Sequence, residues 1–274
     1  MIKAINPLSN YSGSNTLIKV AKETLKILED KHYTSINGVS VKLDLEQCVK
    51  GTVYYPNQLN IKSNINIPAK VEVVNETTYQ AAVRLIIEGH DIVALNFASA
   101  RNPGGGWLQG SKAQEECLTR CSALYSCLKM KPLFYNTNIL CDNNLYTDGM
   151  IYSPNVPFFR NDNFDLLDKP YNISIITAPA PNLYYANDYS KDKIRSLIDY
   201  RAEKIVQIAL TRGHRNLILG AWGCGAFGND PEIVCEAFTK ALRIYPVFER
   251  VIFPVFDTSP EQKLYNTFKQ ILGK

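Results

Sequence analysis

Residues 91–128, reading DIVALNFASARNPGGGWLQGSKAQEECLTRCSALYSCL, constrain this chain more than any other stretch. An apolar run, Ile92 to Phe97, is preceded by His90 and Asp91 and followed by Asn, Ser, Pro and Gly, the pattern of a buried strand. Three consecutive glycines, Gly104, Gly105 and Gly106, come next, behind Asn102 and Pro103. A helix is then predicted, and its opening carries Gln114, Glu115 and Glu116. A buried strand that hands over to a helix through a bare-backbone loop belongs to a layered α/β sheet, and ligands of such sheets bind at that end of the strands. A purely structural connection needs neither three glycines nor two adjacent acids.

The rest of the chain keeps the same rhythm. Residues 16–31 place Leu17, Val20, Ala21, Leu25 and Leu28 on one face, which predicts an amphipathic helix. Residues 39–45 alternate as a half-buried strand, and 53–55 form another. The Asn-rich segment 56–68 reads as a linker, so residues 1–65 are expected to be an N-terminal extension of a main domain over 66–274. Beyond it come a strand at 71–74 and a helix to about residue 88, capped by Asn75, Glu76, Thr77 and Thr78. Residues 133–168 are aromatic-rich and irregular, with strands expected near 138–140 and 150–153 and a Pro- and Phe-containing loop over 152–162. Strands are predicted at 173–178, 216–221 and 251–255. Helices are predicted at 194–212, at 231–243 with Pro231 in the first turn, and at 259–272. The alternation defines an α/β domain with a largely parallel or mixed central sheet.

Composition enters as a set of exclusions. The chain has 274 residues, 46% of them apolar and 20% charged, as in globular domains. A formal net charge of +4 suits a phosphate-bearing substrate and is too weak to argue for nucleic acid. No apolar run reaches the roughly 20 residues of a membrane span, and residues 1–11 lack the pattern of a secretory signal. Seven cysteines, an odd number without C-x-x-C spacing, imply reduced thiols, so an intracellular, cytoplasmic monomer is expected, or a nuclear one in a eukaryote. His32, His90 and His214 stand in no ligand-like spacing to cysteine, and no metal or cofactor is expected.

The acids admit two accounts. Ser111 followed by Gln114 fits a capping box, and glutamates in a first turn suit the helix dipole. On that account Glu115 and Glu116 are solvated, because the apolar stripe runs through Gln114, Cys117, Cys121, Leu124 and Leu128. A catalytic acid would instead need a raised pKa at a helix end that lowers it, so one glutamate must be desolvated or sit against the other. A second Gly-rich turn, 220–231, follows a strand and precedes a helix. Its Gly223, Gly225 and Gly228 match G-x-G-x-x-G, with Glu249 as the acid expected in a dinucleotide fold. More generally, such a turn offers backbone amides to a phosphate or diphosphate, with Phe227 alongside.

The spacing GGG, seven residues, then QEE, preceded by LNFASARNP, resembles the signature of microbial-type poly(ADP-ribose) glycohydrolases over about residues 71–256. The resemblance implies a macrodomain-like three-layer α/β/α sandwich that holds a terminal ADP-ribose. It places Asn96, Ala98, Gly104, Gly105, Gly106 and Gln114 in one binding wall and Gly223, Cys224, Gly225, Ala226 and Phe227 in the other. Asn102 would meet the distal ribose, and Glu76 or Thr77 the adenine. Glu116 would be the catalytic acid and Glu115 would place ribose hydroxyls. The implied substrate is poly(ADP-ribose) or an ADP-ribosylated protein, with ADP-ribose as product. Alternatives are a mono-ADP-ribosyl hydrolase, a non-catalytic ADP-ribose-binding module, and a nucleotide-dependent oxidoreductase.

Overall fold

A computed structural model describes residues 14–61, 65–141, 143–185 and 189–273. The first half contains α1 (Ser14–Asp30), β1 (His32–Thr34), β2 (Ser40–Lys42), α2 (Glu46–Gly51), β3 (Val53–Tyr55), β4 (Lys70–Val74), α3 (Thr78–Ile87) and β5 (Ile92–Phe97). Next come α4 (Gln114–Cys121), α5 (Leu124–Leu128), α6 (Pro132–Leu140), β6 (Met150–Arg160) and β7 (Leu166–Ala178). The chain finishes with α7 (Lys191–Thr211), β8 (Asn216–Ile218), α8 (Pro231–Ile244), β9 (Arg250–Pro254) and α9 (Lys263–Leu272).

β1 and β2 form a small hairpin, and the other seven strands make one sheet in the order β3-β6-β7-β5-β8-β9-β4. From β7 to β4 every neighbouring pair is parallel, while β3 and β6 add antiparallel pairs at the other edge. Side chains alternate across a strand, and β5 shows the result. Ile92 and Ala94 enter a core with Leu17, Val20 and Leu28 of α1, Leu85 of α3 and Leu118 of α4. Val93 and Leu95 face Ile198 and Ile205 of α7, Phe238 of α8 and Phe268 of α9. Helices cover both faces, so a continuous apolar run is what this strand requires. The α/β/α layering with a mixed sheet is the expected one.

Several local expectations fail for identifiable reasons. Residues 138–140 are the end of a helix, α6, and not a strand. Its side chains show no clean 3.6-residue stripe, with Leu133, Ile139 and Leu140 exposed and Asn138 buried. Residues 152–160 belong to a long strand and not to a loop. The neighbour β3 pairs only with Met150 to Tyr152, so beyond that point Pro154 and Pro157 forfeit no ladder bond to it. Irregular register around Asn155, which has φ +47°, absorbs the rest. The helix expected to continue through 128 breaks at Ser122, which bridges to Phe158, while the Ala123 amide donates to the Pro157 carbonyl. α9 starts at Lys263 and not at 259, because Asp257 accepts from the amides of Ser259, Leu264 and Tyr265 across the turn before it. The capping of α3 is as expected, with Thr77 and Gln80 forming a reciprocal capping box.

Two buried cations on α7 tie the irregular connections to this frame. The Arg201 guanidinium donates to Asp148 Oδ1 at 2.7 Å and to the carbonyls of Leu145, Tyr146 and Pro179. Lys204 Nζ donates to the carbonyls of Tyr55, Pro56 and Asp148. All seven cysteines are free thiols. Among the described residues no helix is long and apolar enough to cross a membrane.

Candidate active site

The C-terminal ends of the five parallel strands open onto one cavity of about 690 Å³. Each strand contributes residues that follow it: Glu76 and Thr77 after β4, Ser99, Arg101, Asn102, Gly105 and Gly106 after β5, and Asn182 after β7. Trp222, Gly223, Gly225, Ala226 and Phe227 follow β8, and Val255 and Phe256 follow β9. Parallel pairing puts all of these connections at one end of the sheet, which is why segments 180 residues apart in sequence share a wall.

The two glutamates are buried in that wall, Glu115 at 2% and Glu116 at 8% relative exposure, against the apolar-stripe expectation that both face solvent. Polar partners explain the difference. Glu115 Oε2 accepts the Ser99 amide at 2.7 Å, and its Oε1 accepts Asn96 Nδ2 at 3.0 Å. Glu116 Oε1 accepts the Gly106 amide at 2.9 Å, while its Oε2 is buried and has no hydrogen-bond partner among the described residues. Burial pushes the Glu115 carboxyl up to about 8, and the nearby Glu116 charge adds to the rise, against the amide and Asn96 hydrogen bonds. The required desolvation therefore falls on Glu115.

The glycines make this arrangement possible. Gly104 and Gly105 have φ of +76° and +61°, and a Cβ at Gly105 would overlap Glu116 Oε1. Gln114 is no capping residue, since α4 is preceded by Ala113 without a side-chain cap. Its amide instead stitches α4 to β5, accepting from the Phe97 amide and donating to the Leu95 carbonyl and to Thr78 Oγ1. Arg120 reaches back to the carbonyls of Trp107 and Ser111, which fixes the far side of the same loop. Thr24 of α1 donates to the Arg120 carbonyl, so the N-terminal helix braces α4.

The second Gly-rich turn is built differently. Asn229 Nδ2 donates to the carbonyls of Pro181 and Gly223, and Trp222 Nε1 to that of Ala178. The amides of Gly225, Ala226 and Phe227 find no acceptor among the described residues, and all three residues line the cavity. Asp230 then caps α8, with Pro231 at its first turn. The dinucleotide reading of this turn fails on geometry. Glu249 precedes β9, whose Arg250 pairs with Asn216 at the start of β8, so it lies at the opposite end of the sheet from the glycines.

At the other side of the cavity Glu76 is ion-paired to Arg84 at 3.2 Å. Thr77 Oγ1 donates to Asp162 Oδ2 at 2.5 Å. Asp162 and Phe164 sit at the tip of the β6–β7 hairpin, which curls over α3, and both line the cavity. Burial pushes the Asp162 carboxyl up to about 6. Asp162 was missed because residues 152–162 read as a loop, while FFRND itself carries no spacing that announces a site. Tyr146 and Arg101, also on the lining, lacked any motif. Of the residues expected in the site, Asn96 and Ala98 lie fully buried beneath it, and Gly104 packs against Thr119 and Trp107. Cys224, half-buried behind the turn, donates its amide to the Ala221 carbonyl.

A sandwich with a carboxylate pair walled in by one Gly-rich loop and a second Gly-rich turn on the same cavity defines the class: an acid-bearing cavity on an α/β/α scaffold. A profile of the microbial-type PARG catalytic domain matches residues 21–161. The crystal structure of poly(ADP-ribose) glycohydrolase from Thermomonospora curvata is 38% identical, with 93% of this chain and 99% of that chain covered and a TM-score of 0.87. The same protein bound to the inhibitor ADP-HPD has a TM-score of 0.86 at the same identity and coverage. Poly(ADP-ribose) glycohydrolase from Deinococcus radiodurans in complex with ADP-ribose is 35% identical over 85% of this chain and 98% of that one, with a TM-score of 0.77. No curated protein matches the chain. The chain belongs to the microbial-type poly(ADP-ribose) glycohydrolase family.

Proposed function

We infer that this chain hydrolyses ribose–ribose O-glycosidic bonds in poly(ADP-ribose) and releases ADP-ribose, with Glu116 as general acid and then general base. One observation carries the role of Glu116, which lines the cavity: its Oε1 is clamped by the Gly106 amide while its buried Oε2 has no hydrogen-bond partner among the described residues. A carboxyl held by one oxygen with the other unengaged is placed for proton transfer. In the reaction the bond between the anomeric carbon and the leaving oxygen breaks through an oxocarbenium-like transition state. Glu116 gives its proton to that oxygen and recovers one from the water that attacks the anomeric carbon.

The remaining assignments follow from which donors are unengaged. The amides of Gly225, Ala226 and Phe227 are open among the described residues, which suits a diphosphate. Phe227 then packs on the distal ribose, beside Asn102, and the adenine lies toward Glu76 and Thr77. Incubation with poly(ADP-ribose), following ADP-ribose release, tests the reading. Glu116→Gln is expected to lower the rate about 1000-fold while ADP-ribose affinity stays within about threefold. Full activity in that variant removes Glu116 from the mechanism.

A further inference from the structure

The mouth of the cavity carries a group that the reaction at Glu116 does not use. Tyr146 packs against Phe227 with ring centroids 6.3 Å apart, and the Arg101 guanidinium lies 5.6 Å from the Tyr146 centroid. Arg101 belongs to the loop after β5, two residues beyond Ser99, whose amide holds Glu115. Phe227 belongs to the turn after β8. The trio therefore joins the two glycine loops on the cavity lining.

Tyr146 is not there by default. Its backbone has φ +63°, a left-handed conformation that a bulky side chain rarely adopts, and the buried Arg201 holds its carbonyl at 3.0 Å. A strained aromatic residue held from behind and turned to a cavity mouth needs a reason beyond packing. Arg101 is exposed, and its side chain has one hydrogen bond, to Asn144 Oδ1 at 3.4 Å, and no carboxylate partner among the described residues.

The geometry points to a leaving-side subsite for the next ADP-ribose unit of the polymer, with its adenine stacked on Tyr146 and its diphosphate met by Arg101. The inference rests on the glycohydrolase reading. In that reaction the leaving oxygen belongs to the adenosine ribose of the next unit, so a purine and a diphosphate must lie just outside the ribose held at Phe227. An aromatic face and an unpaired guanidinium are the chemistry that receives them.

Kinetics on poly(ADP-ribose) and calorimetry with free ADP-ribose, on the full chain, test this. Tyr146→Asn keeps a residue that tolerates positive φ, and Arg101→Gln alters only an exposed side chain. Tyr146→Asn is expected to raise KM for polymer about tenfold and Arg101→Gln about threefold, with ADP-ribose Kd unchanged within about twofold. Unchanged polymer KM in both variants overturns the subsite. So does a loss of ADP-ribose affinity parallel to the rise in KM, since that places both residues on the terminal unit. Should Tyr146→Asn fail to fold, Arg101→Gln alone decides. A wild type that releases no ADP-ribose from polymer overturns the glycohydrolase reading itself, and the subsite with it.

Discussion

The two glycine-rich loops look alike in sequence and do opposite work. In the loop after β5 the amides of Gly105 and Gly106 are taken, one by the Asn102 carbonyl and the other by Glu116. That loop turns inward and positions acids. In the turn after β8 the amides of Gly225, Ala226 and Phe227 have no acceptor among the described residues, and the scaffolding falls to Asn229 and Trp222. That turn lines the cavity and leaves its amides without an internal acceptor among the described residues. Glycine content marks both as places of close approach, and only the hydrogen-bond accounting tells what approaches: a carboxylate of the protein itself, or an anion from outside.

The sharpest way to break this contrast is a methyl group in each loop. Gly105→Ala adds a Cβ on top of Glu116 Oε1 at a φ of +61°. It is expected to lower polymer hydrolysis about 100-fold by displacing the acid, and to cost about 1 kcal/mol in urea denaturation. Activity near wild type would mean that Glu116 needs no such clamp.

An intermediate effect is expected from pH. Glu115 binds its proton more tightly folded, at about 8, than at its ordinary 4.5. The folded state is then favoured at low pH, and that advantage declines as pH rises from 4.5 through about 8. The urea midpoint should fall across this window in wild type and fall less in Glu115→Gln. Equal slopes would show that Glu115 is not the group that carries the proton.

The smallest effect belongs to Gly225→Ala, where an added Cβ meets nothing within 4 Å and φ is not positive. Activity and urea midpoint should stay within about twofold and about 0.5 kcal/mol of wild type. A loss like that of Gly105→Ala would erase the distinction between the loops.

What could be read in the sequence follows the same division. The strand Ile92 to Phe97, the glycine loop and the helix carrying the acids were legible, because a doubly covered strand must be apolar throughout. The burial of Glu115 and Glu116 was not, because periodicity locates a buried face by its apolar residues. Here the inward face of the first turn is polar and satisfied by Ser99, Asn96 and Gly106. Gln114 misled in the same way, its spacing to Ser111 imitating a cap while its side chain serves β5. Asp162 and Tyr146 escaped because they reach the cavity through strand curvature and turn geometry, which leave no mark in residue spacing.

Arg201 stands on the helical layer behind the sheet, yet its guanidinium holds the turn that carries Tyr146 through the carbonyls of Leu145 and Tyr146 and the Asp148 carboxylate. That turn surrenders its conformational freedom when the chain folds, not when a polymer end arrives. That part of the cavity lining is thus preorganised from the back of the molecule, by a side chain that is itself fully buried.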